Sequence, residues 1–600
     1  MRPVPDFARF LSLLCTVFLI CGPAIALEKL DFRVAGDDKS LRQDLRGASF
    51  VQSAVSEKNT DARDLFAAAL ADYGRMVETL YANGHYSGVV HILIDGKEAA
   101  SIPLLSVPRQ ISNITIAVNP GPRFRFGTAR IAPLARDTRL PADFRTGAPA
   151  RSTVIRDAVG AAVDGWRDVG HAKATPAGQS ITADHAANTL NAQVQIDQGP
   201  LVRFGDLVID TPSAVRESRV RRIAGLPGGA PFSPAELARV ADRLRRTGAF
   251  SSVALSEAET LGPGNKMDIG LALADEKPRR FGFGAELSSL DGVMLSGYWL
   301  HRNLLGGAER FRVGAEVANI GGATGGIDYS FDARIESPAA LGPDTKVFAL
   351  TQYEHLDEPD YLSDQISFGV GAAKRFSDDL EAELGITYIY SQTEDGIGNR
   401  EFSLLTFPAA ATLDRRDDPL DPTGGYFVNL QATPFLGLGG TGSGARTYGD
   451  GRIYRGFGAD NRVVLAGRLQ FGSVFGAGLT DTHPDFLFYS GGGGTVRGQP
   501  YQSLDVDLGG GVRIGGRSFL GISAELRTSI NDTFGAVAFF DAGYVGAESF
   551  YDGTGNWHSG AGLGLRYKTG LGPIRLDVAA PVSGDTGSGV QIYLGIGQAF

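Results

Sequence analysis

Cysteine is nearly absent from this chain. Cys15 and Cys21 are the only two in 600 residues, and both fall in a segment expected to be removed, so the rest can form no disulfide framework and do no thiol chemistry. Long apolar runs are also missing: beyond Phe10 to Ile20 none has the length that carries a helix through a bilayer. Any membrane insertion must therefore use strands. A basic excess is lacking, because 57 Lys and Arg stand against 67 Asp and Glu for a formal charge of −10. That balance is the reverse of what a phosphate-binding face needs, and no nucleic-acid partner is expected. Neither a G-x-S-x-G nucleophile elbow nor H-E-x-x-H occurs, and the eight histidines are scattered. The closest pair, His85 and His91, lies on a turn and a strand without a carboxylate at ligand spacing. Asp414, Asp417 and Asp418 cluster, but Arg415 and Arg416 sit among them, which suits an ion-paired turn better than a metal. No catalytic constellation, metal site or cofactor is expected.

What is present begins with a leader. Arg2 and Arg9 flank the start of the apolar run, and Ala24-Ile25-Ala26 offers a small-x-small cleavage site. Residues 1–26 are therefore expected to be a secretory signal peptide. From Leu30 to about Lys277, short strand patterns alternate with amphipathic helices three times. Each unit has a helical stretch ending in a Gly turn (Asn83-Gly84-His85, Val169-Gly170-His171, Thr247-Gly248-Ala249) and a closing strand followed by proline. A left-handed glycine stops the helix, and the proline marks the boundary. The expected modules are 27–121, 122–200 and 201–278, each with the order strand, helix pair, strand, strand.

From Phe281 onward helical periodicity gives way to strands of about ten residues between Gly-, Asp- and Asn-rich turns. Gly reaches 81 of 600 residues, about twice average usage, and concentrates here. The last stretch is the most telling. In GVQIYLGIGQAF, Val590, Ile592, Leu594, Ile596 and Phe600 share one parity, with Gln598 the only exception, against Gln591, Tyr593, Gly595, Gly597 and Ala599. A period of two puts each set on one face of a strand. A wholly apolar face on a closing strand suits a transmembrane barrel, whose outer band meets lipid. Leu520, Ile522, Ala524 and Leu526, then Leu563, Leu565 and Tyr567, repeat the pattern. The inward set then holds Glu525, Arg527, Asp541, Arg566, Arg575 and Asp577. About 320 residues at roughly 20 per strand and connection gives about sixteen antiparallel strands over 279–600.

Two sets of motifs carry a family resemblance. The N-terminal units resemble polypeptide-transport-associated (POTRA) domains, which implies that they engage partner or unfolded chains by adding a strand to a sheet edge. Val496-Arg497-Gly498, after four consecutive glycines, resembles the VRG[FY] loop motif of the bacterial outer-membrane assembly-factor superfamily (bacterial surface antigen family). Phe539-Phe540-Asp541-Ala542-Gly543 resembles its partner motif, [FG]xDxG. An arginine in a low-dielectric lumen needs an anion, so Arg497 is expected to pair with Asp541 or Glu525, near Phe539 and Gly543. Gln499 departs from the family's aromatic, and Tyr501 is a candidate replacement. Trp299 to Leu304 with Gly306-Gly307, and Asp414 to Pro419 with Pro422 to Tyr426, resemble further elements in the family's order.

The resemblance implies a protein of the outer membrane, with its N-terminal modules in the periplasm, that inserts β-barrel clients such as autotransporters. Implied partners are unfolded outer-membrane proteins, the lipid bilayer and a TamB-like inner-membrane-anchored protein. A lateral seam is expected between Phe281, Gly282 and Gly284 on the first strand and Gly595, Gly597 and Phe600 on the last, where glycines weaken cross-strand pairing. The competing expectation is a polypeptide secretion pore of the two-partner type.

Overall fold

The computed structural model describes residues 27, 29–59, 61–288, 292–322, 325–570 and 572–600. The expected leader, residues 1–26, lies outside them. Two compact units result. One holds the first two modules with Gly228–Glu236 and Thr260–Met267, and the other holds the remainder of the third module with the barrel.

In the first module Lys29–Val34 pairs in parallel with Asn113–Asn119, and Val89–Ile94 follows on the other side. The 21-residue helix Ala62–Ala82 covers this sheet. Its Leu65, Phe66, Ala69, Met76 and Leu80 recur at helical spacing and meet Ile92, Ile94, Ile114 and Ile116. Two shorter helices, Lys39–Ala48 and Phe50–Ser56, divide at Ser49. There the buried Asp72 carboxylate accepts from Ser49 Oγ at 2.6 Å and Phe50 N–H at 2.7 Å, taking up donors that a helix start leaves free.

The second module departs from the expected helix pair. Its strands are Arg125–Ala132, Thr189–Asp197 and Thr175–Asp184, in that sheet order, with a single helix, Ser152–Asp168. Pro133, Pro141 and Pro149 occupy the place of the other helix; without N–H donors, they break up any run there. The third module has both helices, Glu217–Ala224 and Pro234–Arg246, against Arg203–Ile209, Lys266–Asp275 and Phe250–Glu257. Gly84, Gly170 and Gly248 adopt φ of 85°, 98° and 68°, the left-handed stops that the repeat predicts.

Arg279–Ser288 opens a closed antiparallel barrel that ends with Gln591–Ile596. Seventeen strand segments form the wall among the described residues. Gly398–Thr406 and Ala409–Asp414 are two halves of one strand, since both lie between Leu380–Asp395 and Gly424–Leu438. The break falls at Pro408, which cannot donate to a ladder, and the wall thus comprises sixteen strands. Outward positions are apolar and bare: Phe283 is 88% exposed, Leu563 69% and Ile596 67%. Such a surface is stable only against lipid. No helix among the described residues is long and apolar enough to cross a membrane, so the strands are what cross it.

Within the second unit the third module is clamped to the barrel turn at 338–344. Arg219 donates to Pro338 O at 2.6 Å, and Arg243 and Arg246 both reach the Asp344 carboxylate, at 2.8 and 3.1 Å. The Asn303 side chain bridges Ala214 O and Ala308 N–H, while Arg216 N–H donates to Gly306 O. The Arg302-Asn303-Leu304 motif is therefore a joint between module and barrel.

Candidate functional site: an in-folded loop and a short seam

Residues 476–517 connect the strands Val463–Phe475 and Ser518–Ser529 at the end of the barrel opposite the 338–344 turn, and the connection turns inward. Ser490 and Leu504 exchange both backbone hydrogen bonds, at 3.1 and 2.9 Å, closing a narrow hairpin. A Cβ on Gly491, which has φ +118°, would lie 2.0 Å from Pro500 O. Only glycine lets the two arms come so close. Val496 and Arg497 at the tip are 0% and 3% exposed.

Arg497 meets its carboxylates as a fork. Nε donates to Asp541 Oδ2 at 2.7 Å, Nη2 to Asp541 Oδ1 at 3.0 Å, and Nη1 to Glu525 Oε1 at 2.7 Å and Asp577 Oδ2 at 3.4 Å. Its guanidinium lies 3.6 Å from the centre of the Phe539 ring, a cation–π contact. Arg527 donates to Glu525 at 2.8 Å and Arg566 to Asp577 at 2.5 Å. Three buried guanidiniums thus balance three buried carboxylates, the condition under which charge tolerates burial.

The other motif residues act by size. A Cβ on Gly543 would meet Ser490 Oγ at 2.2 Å and Val496 Cγ2 at 2.9 Å, and one on Gly498, at φ +95°, would meet Ala580 O at 2.7 Å. Gln499 is fully buried. Its Nε2 donates to Ser559 O at 2.8 Å and Ser583 O at 3.0 Å, and its Oε1 accepts from Thr586 Oγ1 at 2.9 Å. The amide thus ties the loop to two wall strands, a task for which an aromatic ring lacks the donors. Tyr501 does not substitute for an aromatic there; its hydroxyl donates to Glu358 at 3.2 Å.

The barrel closes through very few bonds. Among the described residues the first strand pairs with the last only at Leu287↔Leu594 and Ser288↔Tyr593, whereas it pairs with its other neighbour from Arg279↔His301 to Ser288↔Gly292. From Arg279 to Glu286 it has no partner on the seam side among the described residues. The last strand ends at Ile596. Gly597, with φ +87°, turns the chain inward while its N–H donates to Pro573 O at 2.7 Å. Gln598 N–H then donates to Leu420 O at 3.0 Å, its Nε2 to Asp421 at 2.8 Å, and its Oε1 accepts from Arg566 Nε at 2.7 Å. Phe600 is buried with Tyr454 and Ala466 under Arg527, which donates to Phe600 O at 2.9 Å.

Residues 303–600 match the model of the Omp85 superfamily domain. This stretch, just under half of the chain, is similar to that domain. Among solved structures, BamA from Haemophilus ducreyi lacking POTRA domains 1–3 aligns with a TM-score of 0.61 at 16% identity, over 78% of this chain and 99% of that one. CdiB from Acinetobacter baumannii aligns with a TM-score of 0.49 at 12% identity, over 79% and 89%. The domain match and the bare apolar wall together make this an outer-membrane barrel.

Two expectations about the seam are corrected by the barrel. Gly597 and Phe600 are not strand residues and Phe600 does not face lipid, because the chain leaves the wall at Gly597 and buries the ring in the lumen. Phe281, Gly282 and Gly284 do not face Gly595 across the seam, since the register brings Leu287 to Leu594. The two glycines serve the opposite neighbour: a Cβ on Gly282 would strike the Tyr298 ring at 2.2 Å, and one on Gly284 the Ser296 hydroxyl at 2.6 Å. Sequence reasoning placed Asp577, Arg527 and Arg566 in the lumen without joining them to the loop. It missed Tyr593, whose hydroxyl accepts from Gly498 N–H at 3.1 Å. Inward parity of a tyrosine opposite a glycine-rich loop was the available signal.

Proposed function

We propose that this protein is an outer-membrane assembly factor that passes β-barrel clients, autotransporters among them, into the bilayer through the seam between its first and last strands. The two-pair closure carries this reading. Each cross-strand side-chain pair is worth about 0.2–1 kcal/mol, so a seam of two pairs opens at small cost. The backbone of Arg279 to Glu286, already without a seam-side partner among the described residues, is an edge able to template an incoming strand, and opening extends it to Ser288. The Omp85 domain and three N-terminal modules are similar to the translocation and assembly module subunit TamA, and a TamB-like partner fits that likeness. The second module supports partner engagement. Its edge strand Thr175–Asp184 is exposed along nearly all its length, and a groove of about 590 Å³ lined by Tyr86, Ile155, Val159 and Ile181 runs beside it.

The test locks the seam where the register closes it. Leu287→Cys with Leu594→Cys, in a chain otherwise free of cysteine after residue 21, is expected to cross-link without loss of the folded barrel. Client assembly should stop in the oxidised protein and return on reduction. Undiminished assembly by the locked protein would remove the lateral-seam reading in favour of a secretion pore.

A further inference from the structure

Arg527 and Arg566 have more donors than the network uses. Arg527 engages Glu525 through Nε and Phe600 O through Nη2, and Arg566 engages Gln598, Leu565 O and Asp577 through Nε and Nη1. That leaves Arg527 Nη1 and Arg566 Nη2 buried with no acceptor, in residues only 5% and 2% exposed. Buried guanidinium N–H groups without an acceptor are costly and uncommon. Both residues line one cavity of about 90 Å³ at the module-proximal mouth of the lumen. Arg462 and Lys568 line it too, against two carboxylates, Asp421 and Asp460. Asp421 is already engaged by Gln598. Arg462 and Lys568 bond only to neutral oxygens, of Ser529 and Ile530. Arg527 and Arg566 are matched by Glu525 and Asp577, so Arg462 and Lys568 face Asp421 and Asp460 around a space with two free buried donors.

We propose that this cavity binds a carboxylate, held by Arg527 Nη1 and Arg566 Nη2 and drawn in by Arg462 and Lys568. A planar monoanion with two acceptor oxygens suits a pair of guanidinium donors, and the two lining carboxylates disfavour a more highly charged ion. The carboxylate can arrive as a free small anion or at the end of a polypeptide strand entering the lumen, and the second source rests on the assembly function proposed above.

The purified full chain in detergent micelles, probed by saturation-transfer NMR with sodium acetate at constant ionic strength, tests the site. Saturable transfer to acetate is expected. It should be lost in Arg462→Gln/Lys568→Gln, which leaves the buried ion pairs intact and should keep the heat-resistant mobility of the barrel. A strand-like hexapeptide with a free C-terminal carboxylate should bind at least about ten-fold more tightly than its C-terminal amide, the margin of a charge-assisted contact. Acetate binding with equal affinity for peptide acid and amide would remove the polypeptide source and retain the anion site. No saturable acetate or peptide-acid signal would show that water alone fills the cavity, and signals unchanged in the double variant would place the binding elsewhere; either result overturns the proposal. None of these outcomes depends on client assembly, so a failure here is distinct from a failure of the seam test.

Discussion

Replacing Arg497 by alanine removes the Asp541 fork, the Glu525 bond and the Phe539 contact together, yet the damage is uneven. Glu525 keeps Arg527 at 2.8 Å and Asp577 keeps Arg566 at 2.5 Å. Asp541 retains only the backbone N–H of residue 497, at 3.1 Å, and is 1% exposed. Removing one member of a buried pair costs about 3–5 kcal/mol because the remaining charge is uncompensated. A loss of about 4 kcal/mol lowers the ratio of docked to released loop by nearly a thousand-fold. Arg497→Ala should therefore release the loop, seen as trypsin cleavage near Arg513 in membranes where the parent is resistant, and should lower the temperature at which the barrel loses its compact gel mobility. Arg497→Lys should recover only part, since an ammonium cannot span both Asp541 oxygens and Glu525. The double variant Arg497→Ala/Asp541→Ala is the sharper measurement. If the stranded carboxylate is the cost, deleting it restores much of the lost stability, a large coupling energy. Parental heat resistance and an uncut loop in Arg497→Ala, or simple additivity in the double variant, would refute the reasoning.

Two further outcomes can be stated. Gly543→Ala places a methyl 2.2 Å from Ser490 Oγ and 2.9 Å from Val496 Cγ2, so it should expose the loop to trypsin as Arg497→Ala does although every charge is kept; a resistant loop would show that the hairpin shifts without cost. In the first module, burial alone would raise the Glu98 carboxyl, but the Tyr73 hydroxyl, the Ile92 N–H and His91 together hold it below its ordinary value. A depressed carboxylate adds stability above its unfolded pKa of about 4.3 that is lost as pH falls through the lower folded value. Amide exchange at Ile92 in the intact chain should therefore accelerate below about pH 4.3 relative to the intrinsic rate, and should do so no longer in Glu98→Gln.

Parity made the wall legible because a strand has one period and lipid imposes one polarity. Leu563, Leu565 and Tyr567 face out and Glu525, Asp541 and Asp577 face in, as alternation alone predicts. The Arg497–Asp541 pair was legible for a related reason: a lone arginine among glycines, destined for an apolar surround, needs a carboxylate, and few inward ones were on offer. Periodicity ceases to inform where the chain leaves its element. Phe600 keeps the parity of Ile592, Leu594 and Ile596, yet Gly597 intervenes with a left-handed φ of 87° and converts an outward position into a lumenal one. Nothing in the local sequence separates that glycine from Gly595, which stays in the strand and pairs with Arg575. The difference lies in partners that are remote in sequence: Pro573 O, Leu420 O, Asp421 and Arg566 supply acceptors and donors for the turned-in backbone and the Gln598 amide. Seam register is hidden in the same way. It depends on where the last strand stops, and that stop is set by the Asp414–Tyr426 turn and the end of the strand Asn556–Tyr567. The turn read from sequence as an ion-paired structural element is thus one that binds the inward-turned tail, through Leu420 O and Asp421, and so ties the end of the last strand to the lumen.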